Sequence, residues 1–92
     1  MKTNLIKVTR YAYEDKNGVF HSGCIFSCMI PTLDTEDSFG YDVKDFRAKY
    51  EMFEKLKTLY QENKPVDLVV EYNPMRNGNY YLRAKAINGI EL

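Results

Sequence analysis

Tryptophan is absent from this chain, histidine occurs once, and 92 residues hold only two cysteines, three prolines and five glycines. Each shortage excludes something. His21, with no serine, cysteine or carboxylate singled out as its partner, makes no catalytic triad. The glycines stand singly, so no loop cradles a nucleotide phosphate. An enzyme is not indicated, and no cofactor is expected. Cys24 and Cys28 lie on one strand, facing the same way, with α-carbons ~13 Å apart and beyond disulfide reach. They read as buried thiols of a reducing compartment. His21 would face away from them, and no fourth ligand is in sight, so no zinc site is expected.

Net charge is also lacking: thirteen basic residues cancel thirteen acidic ones. A neutral chain has no bulk attraction to nucleic acid or to an anionic membrane, so any phosphate binding must come from local segregation of charge. No apolar run approaches the ~20 residues that span a bilayer. Met1 to Lys7 lacks the apolar centre of a secretory signal, and a cytoplasmic location is expected.

What the chain does have is rings, eight tyrosines and five phenylalanines. Tyrosines pack on one side and meet water or a ligand on the other. The length suits a single domain, residues 1–92, with one modest core.

Leu5 to Tyr13 alternates as a strand, with Ile6 and Val8 on one side and Lys7, Thr9, Tyr11 and Tyr13 on the other. Asn17-Gly18 turns the chain, and Val19 to Ile30 forms a long antiparallel strand in which Gly23 permits a bulge or bend. Pro31 ends it. Thr32 to Ser38 is an acidic polar loop without the ligand spacing of a metal loop. Phe39, Tyr41 and Val43 alternate as a half-buried strand. From Phe46 the spacing turns helical, with Tyr50, Phe53, Leu56 and Tyr60 on a core stripe of a helix over Ala48 to Asn63. Its lysines and glutamates read as a solvated surface. Lys64-Pro65 stops the helix, and Val66 to Tyr72 alternates again. Asn77-Gly78 makes a second hairpin turn. Tyr80, Leu82, Ala84 and Ala86 then face one way on the last strand, and Tyr81, Arg83, Lys85 and Ile87 the other. Asn88-Gly89 makes a final turn.

The element order β-β-β-α-β-β, mostly β with one helix, is that of the five-stranded OB-fold barrel, a partly open barrel that serves oligonucleotides and oligosaccharides. Over residues 39–87 the pattern resembles the bacterial single-stranded DNA-binding protein family. The pieces that carry the likeness are the aromatic strand Tyr41 to Phe46 running into the helix, Tyr60 near the helix end, and Lys64 in the turn. The alternating strand Val66 to Tyr72, the polar hairpin Met75 to Asn79 and the basic-aromatic strand Tyr80 to Lys85 complete it. Pro65 stands where that family usually has glycine, and the stacking tryptophans are missing. The resemblance implies a small replication accessory of phage or plasmid type.

Single-strand binding needs rings for bases and cations for phosphates on one surface. The candidates are Lys7, Tyr11, Tyr13, Phe20 and His21 around the first hairpin, and Arg76, Tyr81, Arg83 and Lys85 on the last. The expected partner is single-stranded DNA or RNA, engaged by a homodimer or larger oligomer. The rival expectation is a protein-interaction module that docks a replication or host protein through the same rings or a strand edge. No membrane partner is expected.

Overall fold

Two of the three Asn-Gly pairs make the long hairpins, bending the backbone as only glycine does without strain: Gly18 has φ 77° and Gly78 has φ 84°. The two loops are built alike. Gly18 N–H bonds Asp15 O at 3.1 Å and Gly78 N–H bonds Met75 O at 3.2 Å, while Asp15 and Asn77 each accept main-chain N–H groups of their own loop. These turns join β2 (Leu5–Glu14) to β3 (Phe20–Pro31) and β5 (Val66–Pro74) to β6 (Tyr80–Ile87).

The computed structural model describes residues 1–31 and 36–92. Its other elements are β1 (Lys2–Thr3), β4 (Tyr41–Ala48), a 3₁₀ turn over Tyr50–Met52, helix α1 (Phe53–Gln61) and β7 (Ile90–Glu91). The protein is mostly β with one helix, in two antiparallel sheets ordered β2-β3-β4 and β1-β5-β6-β7. Of the acidic loop expected over Thr32 to Ser38, residues 32–35 lie outside the described residues.

The N-terminal strand joins the sheets. Thr3 pairs with Val66 of β5, and one residue later Asn4 O accepts Met29 N–H of β3 at 3.2 Å. The Thr3 hydroxyl donates to Met29 O, and Leu68 N–H to Met1 O. The opposite seam is open. Because every pairing step is antiparallel, β4 and β6 point the same way, yet no ladder joins them. The expected single five-stranded barrel is therefore not closed. A local cause is visible: β7 pairs with β6 through Ala86 and Ile87, and Leu92 N–H bonds Lys85 O at 3.0 Å. That occupies part of the β6 edge left free by β5, so β4 cannot add there.

One core lies between the sheets and under the helix. Phe26, fully buried, sits opposite Val8 on one side and Phe46 on the other, with its ring 5.6 Å from that of Phe46. Cys24, Cys28, Val66, Leu68, Ala84, Ile87, Met52 and Leu56 complete it.

Several expected faces differ. A register shift between Leu5 and Lys7 turns Ile6 outward, and Leu5 packs with Val8 instead. A second shift, between Val69 and Val70, brings Ile87 into the core although alternation assigned it outward. Each is the effect of one extra residue on a period of two. Gly23 carries no bulge, because the pairing runs regularly through it. Ala48 ends β4 and Lys49 is extended, so the helical segment starts at Tyr50 rather than Ala48. Tyr50 and Tyr60 are exposed, leaving Met52 and Leu56 as its buried residues. Phe39, Tyr41 and Val43, expected half-buried, are 87%, 63% and 61% exposed. Tyr41 lines only an open groove with Lys2, Thr3, Asn4, Met29 and Pro65, so these side chains stay largely in solvent. The Cα radius of gyration, 15.0 Å, exceeds the ~12 Å of a spherical domain of this length, as projecting strands require. Among the described residues no helix is long and apolar enough to cross a membrane.

The two thiols are free and buried, and burial alone pushes Cys28 up to about 11 from 9.0 and Cys24 up as well. A raised folded value favours the neutral thiol in the native state. The Cys28 contribution to stability is then complete below pH 9.0 and is lost as pH rises toward about 11. Thiol titration with an aromatic disulfide should show negligible reaction at neutral pH until denaturant is added, and the urea midpoint should fall between those two pH values.

Candidate nucleic-acid interface

Register places Lys7, Thr9, Tyr11 and Tyr13 of β2 opposite Ser27, Ile25, Gly23 and His21 of β3. Ser27 and Ile25 are in turn opposite Asp45 and Arg47 of β4. These residues form the outer face of the three-stranded sheet. At its hairpin end three rings gather: Tyr13 stacks on His21 with centroids 5.0 Å apart and planes at 22°, and Tyr11 lies 6.2 Å from Tyr13. Gly23 makes this possible. A Cβ there would sit 2.5 Å from the Tyr11 hydroxyl, so only the bare backbone lets that ring lie across β3. His21 Nε2 is 2.8 Å from Asp15 Oδ2. That bond, with main-chain N–H bonds from Val19 and Asn17, holds the Asp15 carboxyl below its ordinary 3.8. The turn therefore fixes the imidazole against which Tyr13 stacks, leaving the outer face of Tyr13 to solvent.

The second grouping lies at the open seam. A cleft of about 540 Å³ between β4 and β6 is lined by Asp45, Phe46, Arg47, Ala48 and Lys49 on one side. Tyr81, Leu82, Arg83, Ala84 and Leu92 line the other. Its walls thus present three cations, one carboxylate and one tyrosine. Neither Arg47 nor Lys49 forms an ion pair with a described residue. The Asp45 carboxylate accepts the Ser27 hydroxyl at 2.5 Å. Arg83 and Lys85 share a single carboxylate, Glu71, at 3.9 Å each. One anion between two exposed cations leaves a net positive charge, and such long surface pairs bind weakly.

The structure thus brings together Tyr11, Tyr13 and His21 in one group and Tyr81 and Arg83 in another, with Lys85 beside the second through Glu71. The other three candidates stand apart. Phe20 is opposite Glu14, on the sheet face away from His21. Arg76 is in the tip of the β5–β6 hairpin. Lys7 lines a shallow groove against α1 with Phe53, Lys57 and Tyr60. Arg47 and Lys49 were not among the sequence candidates, because a helical spacing was read from Phe46 on and Lys49 was assigned to the surface of the helix. Following the period of two beyond Phe46 would have set Arg47 outward beside Asp45.

No family model, curated protein or solved structure matches this chain.

Proposed function

We propose that this protein binds single-stranded nucleic acid, DNA in the first instance, without a fixed sequence. The observation that carries the reading is the β4–β6 cleft, where Arg47, Lys49 and Arg83 line the same walls as Tyr81, on the flank of a sheet whose outer face bears Tyr11 and the Tyr13–His21 stack. Cations that follow phosphates beside rings that accept bases are the two components of such binding, and each stacked base contributes ~1–3 kcal/mol. Rings on an open face require unstacked bases, which favours a single strand over a duplex. The neighbour order β6-β5-β1/β2-β3-β4, with β1 and β2 as one interrupted strand, supports reading the fold as an open OB-type barrel. Zero net charge is compatible with this, because the cleft lining sets Arg47, Lys49 and Arg83 against a single carboxylate, Asp45, which accepts the Ser27 hydroxyl.

With eight tyrosines and no tryptophan, tyrosine emission reports the site directly. Titration with oligo-dT at low salt should quench it saturably, duplex DNA should quench it far less, and added salt should reverse the effect. Absence of any response at micromolar protein would overturn the reading in favour of a protein-docking module, whose apolar contacts would barely respond to salt.

A further inference from the structure

We infer that Asp15 is a positioning residue of the ring platform: through His21 it holds Tyr13 in the pose that accepts a base, without itself touching the nucleic acid. This rests on the proposed single-strand reading and says how the rings of that reading are kept in place. The two oxygens of the carboxylate have separate tasks. Oδ1 accepts Asn17 N–H at 2.8 Å and Val19 N–H at 3.0 Å, and so builds the turn. Oδ2 lies 2.8 Å from His21 Nε2. The bond to His21, ahead of that from Val19, holds the carboxyl below its ordinary 3.8, so at neutral pH the group is ionised and only accepts. Nε2 therefore donates, and a neutral His21 carries its proton there.

The imidazole held in this way is the surface on which Tyr13 stacks, with centroids 5.0 Å apart. Tyr13 is 54% exposed near the end of β2. A ring ordered before binding loses less freedom when a base stacks on it than one that the base itself must order. Charge separates this role from a direct one. Glu14, Asp15 and Lys16, which follow Tyr13, carry a net negative charge, so the turn itself disfavours phosphate. Removing the Asp15 charge would by itself strengthen the binding of a polyanion. Losing the pose of Tyr13 would weaken it.

The two signs are told apart by a double-mutant cycle read as affinity for oligo-dT at low salt. Asp15→Ser keeps one oxygen for the turn, as serine does in such loops if more weakly, and leaves His21 without its acceptor. It should lower affinity about fivefold in the wild type but less than about twofold in a Tyr13→Ala background, where no ring remains to be positioned. The slope of log affinity against log salt should stay the same, because no phosphate contact is lost. His21 is the only histidine, so its ring is read by NMR without assignment. In mildly alkaline solution the wild type should show the Nε2–H tautomer and Asp15→Ser a mixture. His21→Ala leaves both turn bonds of Asp15 in place and should give the same pattern of affinities, which keeps the test valid if Asp15→Ser loosens the hairpin. An affinity that rises or stays unchanged in Asp15→Ser would overturn the inference and leave the proposed function standing. So would a loss that persists undiminished in the Tyr13→Ala background. Failure of wild type to bind oligo-dT would be failure of the function itself, and the inference would fall with it.

Discussion

Replacing Phe26 by alanine is expected to cost about 3–5 kcal/mol, against a total stability of about 5–15 kcal/mol for a domain of this kind. Phe26 occupies the middle of β3, itself the middle strand of its sheet, and no part of it reaches solvent. Its ring is stacked on Phe46 and belongs to the one core that includes Leu56 of α1 and Leu68 and Ile87 of the second sheet. Truncation would leave a cavity where both sheets and the helix meet, in a core whose close packing lets it relax only in part. The urea midpoint should drop with its slope unchanged. Tyr41→Ala, in the adjacent strand but 63% exposed, should change stability by no more than about 0.5 kcal/mol. Comparable losses for the two would mean that the far end of β4 is covered in solution and that the core is not centred on Phe26.

The largest expected effect on binding belongs to the cleft. Arg47→Ala combined with Arg83→Ala should weaken oligo-dT binding about tenfold or more per arginine at low salt, since a hydrogen bond to a charged group is worth about 1.5–3 kcal/mol. The slope of log affinity against log salt should flatten by about 1.4, because each phosphate neutralised on a single strand contributes about 0.7. Glu71→Gln should act in the opposite direction. It removes the carboxylate that Arg83 and Lys85 share and frees both cations for phosphate. A double variant with unchanged affinity and slope would remove the cleft from the interface. A weakened affinity with an unchanged slope would show that the arginines support the rings rather than meet phosphate.

Both expectations depend on positions that the sequence alone reveals to different degrees. Phe26 was legible as part of a long apolar strand, because buried strands keep an apolar period whatever they pack against. The cleft was not. Tyr81 and Arg83 stood out as an alternating pair, but Lys49 was concealed by a helix start expected at Ala48 and found at Tyr50, and Arg47 by a helical spacing read from Phe46. Strand ends and helix starts are decided by a few local hydrogen bonds and are easily displaced by tertiary pairing. Phe39, Tyr41 and Val43 show the same limit from another side. Their alternation is real, but alternation reports which residues share a face and not whether anything lies against that face.

The sequence by itself determined the order of the five long strands and the helix, the Asn-Gly turns, the buried free thiols and the absence of bulk charge, all of which follow from local backbone preference or from composition. Only the tertiary structure decided which way Ile6 and Ile87 face, that β4 and β6 leave a cleft between them, and that Arg47, Lys49 and Arg83 line it. These depend on single-residue register shifts and on the edge of β6 that β7 occupies. Such choices arise from contacts between residues far apart in the chain, and a period of two cannot record them.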